Sequence, residues 1–64
     1  MKGLYQNKIT GARLEAFDTN TDVYGTVYIT WRWCDDGLAY NVPIESFKAM
    51  LKHNHYELIE SYEE

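Results

Sequence analysis

Val23-Tyr24-Gly25-Thr26-Val27-Tyr28-Ile29-Thr30-Trp31-Arg32-Trp33-Cys34 is the stretch whose reading decides the fold. Val23, Val27, Ile29, Trp31 and Trp33 fall on odd positions, while Tyr24, Thr26, Tyr28, Thr30 and Arg32 fall on even ones. Successive side chains leave a pleated backbone on opposite faces, so this period of two predicts a half-buried strand from Val23 to Cys34. β-Branched and aromatic residues dominate it, and both fit a pleated surface well. Gly25 interrupts the odd row and marks a bulge or a close backbone approach.

On the C-terminal side, Asp35-Asp36-Gly37 has the chemistry of a tight hairpin turn, with Asp36 and Gly37 able to take positive φ angles. Leu38 to Val42 then returns antiparallel, placing Leu38, Tyr40 and Val42 on one face. Pro43 suits the first turn of a helix, where its missing N–H costs nothing. Ile44, Phe47, Met50 and Leu51 follow at helical spacing. Glu45 early and Lys48, Lys52 and His53 late complement the helix dipole, and Asn54 is the expected left-handed stop. A last strand is expected from His55 to Tyr62, with a frayed acidic helix through Glu57, Glu60, Glu63 and Glu64 as the alternative.

On the N-terminal side, Lys8 to Phe17 reads as a strand, with Ala12, Leu14 and Ala16 on one face and Gly11, Arg13 and Glu15 on the other. Asp18-Thr19-Asn20-Thr21-Asp22 reads as a turn, because these side chains hydrogen-bond to nearby backbone in competition with ladder pairing. The expected architecture is therefore α+β: a small, twisted, mainly antiparallel sheet in the order β-β-β-α-β, with one helix packed on one face. A right-handed crossover would give the strand order 3-2-1-4, the last strand parallel to the first.

The 64 residues support a single domain, since a chain of this length buries only about 60% of the surface it exposes when unfolded. No repeat, linker or low-complexity segment divides residues 1–64. A hydrophobic content of 45% and an aromatic content of 16% exclude a disordered chain. The single Cys34 leaves no intramolecular disulfide, so a core this small rests on good packing or on self-association. Met1-Lys2-Gly3-Leu4-Tyr5 lacks the pattern of a secretory leader, and no apolar run is long enough to span a bilayer. A cytoplasmic location is the expectation.

Candidate chemistry is sparse. Asp18, Asn20 and Asp22 match the opening of a calcium loop, but Val23 stands where its glycine belongs and Ile29 where its glutamate belongs. Cys34, His53 and His55 lack a fourth zinc ligand and the usual spacing. Asp35 and Asp36 are adjacent in a solvated turn, where nothing drives their pKa values apart for acid–base work. No metal, no cofactor and no enzymatic activity is expected.

The even face of the central strand carries the candidate site: Tyr24, Tyr28 and Arg32 interleaved with Thr26 and Thr30, and joined by Arg13 from the neighbouring strand. Tyrosine and arginine are enriched at protein interfaces because each combines a large contact area with a polar tip. The leading expectation is a noncatalytic protein-binding module that docks this face, or its acidic surface, on a larger protein or on a second copy as a homodimer. Its size, acidity and tyrosine and tryptophan content are those of small accessory or inhibitor proteins of phages and mobile elements, by analogy. The alternative is a single-stranded nucleic-acid-binding sheet using Tyr24, Tyr28 and Arg32, since exposed aromatics on an open sheet can stack unpaired bases, with Arg13 able to join the stripe. A net charge of −4 counts against it, since such binding draws on lysines and arginines that displace counterions. The bland alternative is that the tyrosines and threonines only stabilise the sheet through cross-strand pairs.

Overall fold

The computed structural model describes residues 1–62; Glu63 and Glu64, named with Glu57 and Glu60 for the alternative frayed acidic helix, lie outside the described residues. The chain runs β1 (Gly3–Asn7), β2 (Arg13–Thr21), β3 (Val27–Trp33), β4 (Ala39–Pro43), α1 (Ile44–His53) and β5 (Tyr56–Ser61). The strands form one sheet in the order β4-β3-β2-β1-β5, antiparallel at every neighbouring pair. The architecture is α+β, with the helix on one face.

The alternation holds along β3 from Tyr28 to Trp33, while Val27, expected on the buried face, is exposed where the strand leaves the turn. Ile29 and Trp31 are buried and Trp33 is half-buried, while Tyr28 and Thr30 are half-buried on the other side and Arg32 is exposed. Their partners in the core are Tyr5 from β1, Leu14 and Ala16 from β2, and Phe47 and Leu51 from α1. The Phe47 ring meets Tyr5 edge-on at 5.6 Å and lies 6.3 Å from Trp31. Met50 packs half-buried against this core, and Ile44 at the start of the helix is half-buried as well. Accessible surface totals 4413 Å², close to the roughly 4300 Å² that area scaling gives for a folded chain of this mass. The core is small, yet the chain is as compact as an ordinary monomer of its size.

Several boundaries differ from the sequence reading. Val23–Thr26 is not strand: β3 begins at Val27, and the reversal between β2 and β3 sits at Asp22–Thr26. Asp18–Thr21, expected as the turn, instead continues β2, paired to Val27–Thr30. The polar side chains there remain exposed, so the ladder satisfies the backbone without asking them to pack. Residues 8–12 form the β1–β2 connection rather than strand. Only Gly37 of the Asp36-Gly37 pair takes a positive φ, at 75°, and the Asp36 carboxylate instead accepts from the Leu38 N–H. Asn54 ends the helix with φ −104°, and the left-handed residue is His55, at φ 58°.

The expected order 3-2-1-4 is replaced because β1, which the sequence reading did not assign, inserts between β2 and β5. β5 therefore runs in the direction expected of it but pairs antiparallel with β1, not parallel with the strand expected to be first. Gly3-Leu4-Tyr5-Gln6-Asn7 is too short and too mixed in polarity to show a period. Its place is set by Tyr5, whose ring packs under Phe47 and whose hydroxyl donates to the Met1 carbonyl at 2.6 Å. Helix α1 carries the chain across the sheet from the β4 edge to the β5 edge; its ten residues span about 15 Å, comparable to the width of the three strands between.

Both edges carry features that discourage further pairing. β4 is five residues long and ends on Pro43, which has no N–H to donate. β5 bulges at Ile59, between the pairs Leu4↔Glu60 and Tyr5↔Leu58, and places Glu57 and Glu60 on the edge. The bulge presses the β5 backbone against Gly3, where an added methyl group would overlap the Glu60 carbonyl. Backbone cannot yield as a side-chain tip does. Gly3→Ala is therefore expected to destabilise the fold by about 1–3 kcal/mol, read as a lower urea midpoint at unchanged slope.

Candidate functional site

The face of the sheet opposite the helix is built from register. Tyr28 lies across from Asn20 and Pro43, Thr30 from Asp18 and Asn41, and Arg32 from Glu15 and Ala39. On β2 a bulge at Phe17, between the pairs Ala16↔Trp31 and Asp18↔Thr30, brings its ring beneath the Arg32 guanidinium, 5.4 Å from carbon to ring centroid. Arg13 stands on the same face, exposed, at the other end of this row.

Glu15 organises the centre. Arg32 Nε donates to Glu15 Oε1 at 2.9 Å, and Nη2 lies 2.7 Å from the same oxygen. The Tyr62 hydroxyl reaches across β1 and donates to Oε2 at 2.6 Å. The Arg32 side chain is 52% exposed, and a surface pair of this kind contributes only about 0–1 kcal/mol. Its significance is positional: the arginine expected to meet a partner is already held between a carboxylate and an aromatic ring.

The same bonds shift two ionisations. The Tyr62 hydrogen bond, and then that from Arg32, hold the Glu15 carboxyl below its ordinary value. Donating to a charged acceptor pushes the Tyr62 phenol up to about 12. A depressed carboxyl favours the folded state above the unfolded carboxylate range, and that contribution fades as pH falls through the lowered value. A raised phenol favours it below the unfolded value of about 10, and that contribution fades as pH rises toward the folded one.

Tyr24 and Thr26 are separated from the rest of the expected site. They sit in the reversal at the end of the β2–β3 hairpin, where the Asp22 carboxylate accepts from the N–H groups of Tyr24 at 2.8 Å and Thr26 at 3.0 Å. The Gly25 N–H donates to the Asp22 carbonyl at 3.1 Å, and Gly25 takes φ 84°, a conformation glycine adopts without steric cost. The turn lies beyond the body of the sheet on the β2 side, because β1 stops pairing with β2 at Gly3↔Ala16. At its tip Val23 is 91% and Tyr24 90% exposed.

The structure thus brings Tyr28, Thr30, Arg32 and Arg13 onto one face and places Tyr24 and Thr26 on a separate projection. Sequence reasoning missed Glu15, Phe17 and Tyr62, which complete the Arg32 cluster, and Val23, which it assigned to the buried face. Opposite charges on Glu15 and Arg32 were a signal only once register paired them. Tyr62 gave none, since its reach across β1 depends on a strand the sequence did not announce.

Asp18 and Asn20 lie on β2 while Asp22 pins the turn, and no group of three or more His, Cys, Asp or Glu side chains among the described residues converges on a metal position. Among them no pocket is found, and no helix is long and apolar enough to cross a membrane. The chain matches no protein-family model, no curated protein and no solved structure.

The Tyr62–Glu15 bond has a direct readout. The Tyr62 ring carbon bearing the hydroxyl is expected to titrate by NMR near 12 in the native chain. In Glu15→Gln it should titrate close to the ordinary value of about 10; an unchanged midpoint would show that the carboxylate does not hold it.

Proposed function

We propose that this protein is a noncatalytic docking module that engages a larger protein through the tip of the β2–β3 hairpin. The observation that carries this reading is the pair Val23 and Tyr24, almost wholly exposed side by side on a turn whose backbone Asp22 and Gly25 hold in place. A rigid aromatic tip loses little conformational entropy on binding and offers a large amphipathic contact, the property that makes tyrosine a frequent anchor of interfaces. At about nine-tenths exposure neither side chain packs on the rest of the sheet, so the apolar surface of the pair is available to a partner.

Nucleic-acid binding through the Tyr–Arg stripe is less well supported. It requires Tyr24 and Tyr28 as one stacking platform beside an available arginine, whereas Tyr24 sits on the projecting turn and Arg32 is paired with Glu15. Tyr28, Thr30 and Arg13 remain as flanking surface in the protein-docking reading.

The test uses immobilised wild type, Val23→Ser/Tyr24→Ser and Arg13→Ala to capture proteins from a lysate of the source cells. The tip variant should melt as wild type does, since exposed substitutions shift stability by no more than about 0.5 kcal/mol. A specific protein retained by wild type and Arg13→Ala, and lost by the tip variant, is the expected result. Equal retention by all three would remove the tip from the interface, and quenching of tyrosine and tryptophan fluorescence by a single-stranded oligonucleotide at low salt would favour the alternative.

A further inference from the structure

The two edge strands, β4 and β5, are held differently from the three between them. The buried core draws on β1, β2, β3 and α1; β4 and β5 supply none of it, each reaching it through one partly buried side chain, Val42 and Tyr56, and β5 alone follows a two-residue connection from the helix. Tyr56 is half-buried, and every later residue of the strand is exposed. The bulge at Ile59 interrupts its pairing with β1. Beyond that ladder, its end is secured by the Tyr62 N–H donating to the Lys2 carbonyl at 3.0 Å and by the Tyr62 hydroxyl on Glu15.

The connection entering β5 is short and strained. Only Asn54 and His55 separate α1 from β5, and His55 takes φ 58°, the one positive φ outside glycine among the described residues. A β-carbon makes that conformation unfavourable, and it persists where surrounding bonds impose it. Here Asn7 Nδ2 donates to the Asn54 carbonyl at 2.7 Å, the Lys8 N–H to the His55 carbonyl at 2.9 Å, and the Asn54 N–H to the Met50 carbonyl at 3.0 Å. A tight, strained hinge ahead of a weakly buried edge strand is the arrangement that favours exchange of that strand between copies.

We propose that β5 is an exchangeable strand and that the β1 edge beneath it can accept β5 from a second copy of this chain, giving a swapped dimer through the Asn54–His55 hinge. The second copy is the occupant the geometry selects, because β1 already presents the register, the Gly3 recess for the bulge and the Glu15 acceptor that this strand fits. An unrelated strand with a side chain pressing on Gly3 or lacking the Ile59 bulge would not reproduce them. Opening the hinge relieves His55 in both copies while every contact of β5 is remade. The hinge lies at the Asn7 end of β1, away from the hairpin tip, so this proposal and the docking reading stand or fall separately.

The experiment holds the purified full chain at high concentration at the foot of its urea transition, returns it to buffer, and separates species by size-exclusion chromatography with light scattering. A dimer is expected, and in a sample mixed from differently isotope-labelled copies it should give nuclear Overhauser contacts between β1 of one copy and β5 of the other. His55→Gly, which removes the hinge strain, should lower the dimer fraction about tenfold, while Tyr62→Phe, which removes a bond made equally in monomer and dimer, should leave the dimer fraction unchanged and speed amide exchange in β5. Absence of any dimer, a dimer without intermolecular β1–β5 contacts, or a dimer fraction indifferent to His55→Gly would each overturn the proposal.

Discussion

Along β3 neighbouring side chains leave the backbone in opposite directions, and the rest of the molecule is arranged around that constraint. Ile29 and Trp31 go toward the helix, where Phe47 and Leu51 close over them together with Leu14, Ala16 and Tyr5. Tyr28, Thr30 and Arg32 go the other way and become part of an open face. A register slip of one residue would exchange the two sets, burying an arginine and exposing a tryptophan, so the hydrophobic pattern fixes the pairing strongly.

On the open face the same constraint determines what the arginine can do. With Arg32 opposite Glu15, and Phe17 displaced by a bulge to lie beneath the guanidinium, the charge is met within the chain. Tyr62 then ties the end of β5 into the same cluster, linking strands that are not neighbours in the sheet. This is stitching across a small sheet: each bond is weak and exposed, but together they orient side chains that would otherwise sample many rotamers. The consequence for function is that the centre of the face is occupied with its own contacts, while the hairpin tip, outside the body of the sheet, has apolar surface uncommitted to the fold.

The two ends of the sheet carry different features. One has the turn pinned by Asp22 with Val23 and Tyr24 outward; the other has the strained His55 beside the β1–β2 connection. A glycine meets the backbone demand at the first end, and hydrogen bonds to a histidine's backbone impose it at the second. That contrast is why the tip reads as a rigid presenting element and the hinge as a place where the fold can open.

The strand character of Val27 to Trp33, the return through Val42, the helix from Ile44 and its buried face were all legible in the residues, because each depends on periodicity within one segment and on local punctuation at Gly37 and Pro43. The extent of the central strand was not: Val23 to Thr26 have strand-forming side chains, yet Asp22 captures two backbone N–H groups there and turns the chain. Nor was β1 visible, since five residues of mixed polarity show no period and their strand state comes from pairing with β2 and β5 on either side. For the same reason the stripe of Tyr24, Tyr28 and Arg32 was only partly right. Local sequence determined which way each side chain of a strand points, because that follows from the geometry of the pleat. Tertiary structure alone decided where the strand stopped, which carboxylate met Arg32 and how Tyr62 came to it, because those depend on pairing between segments far apart in the chain.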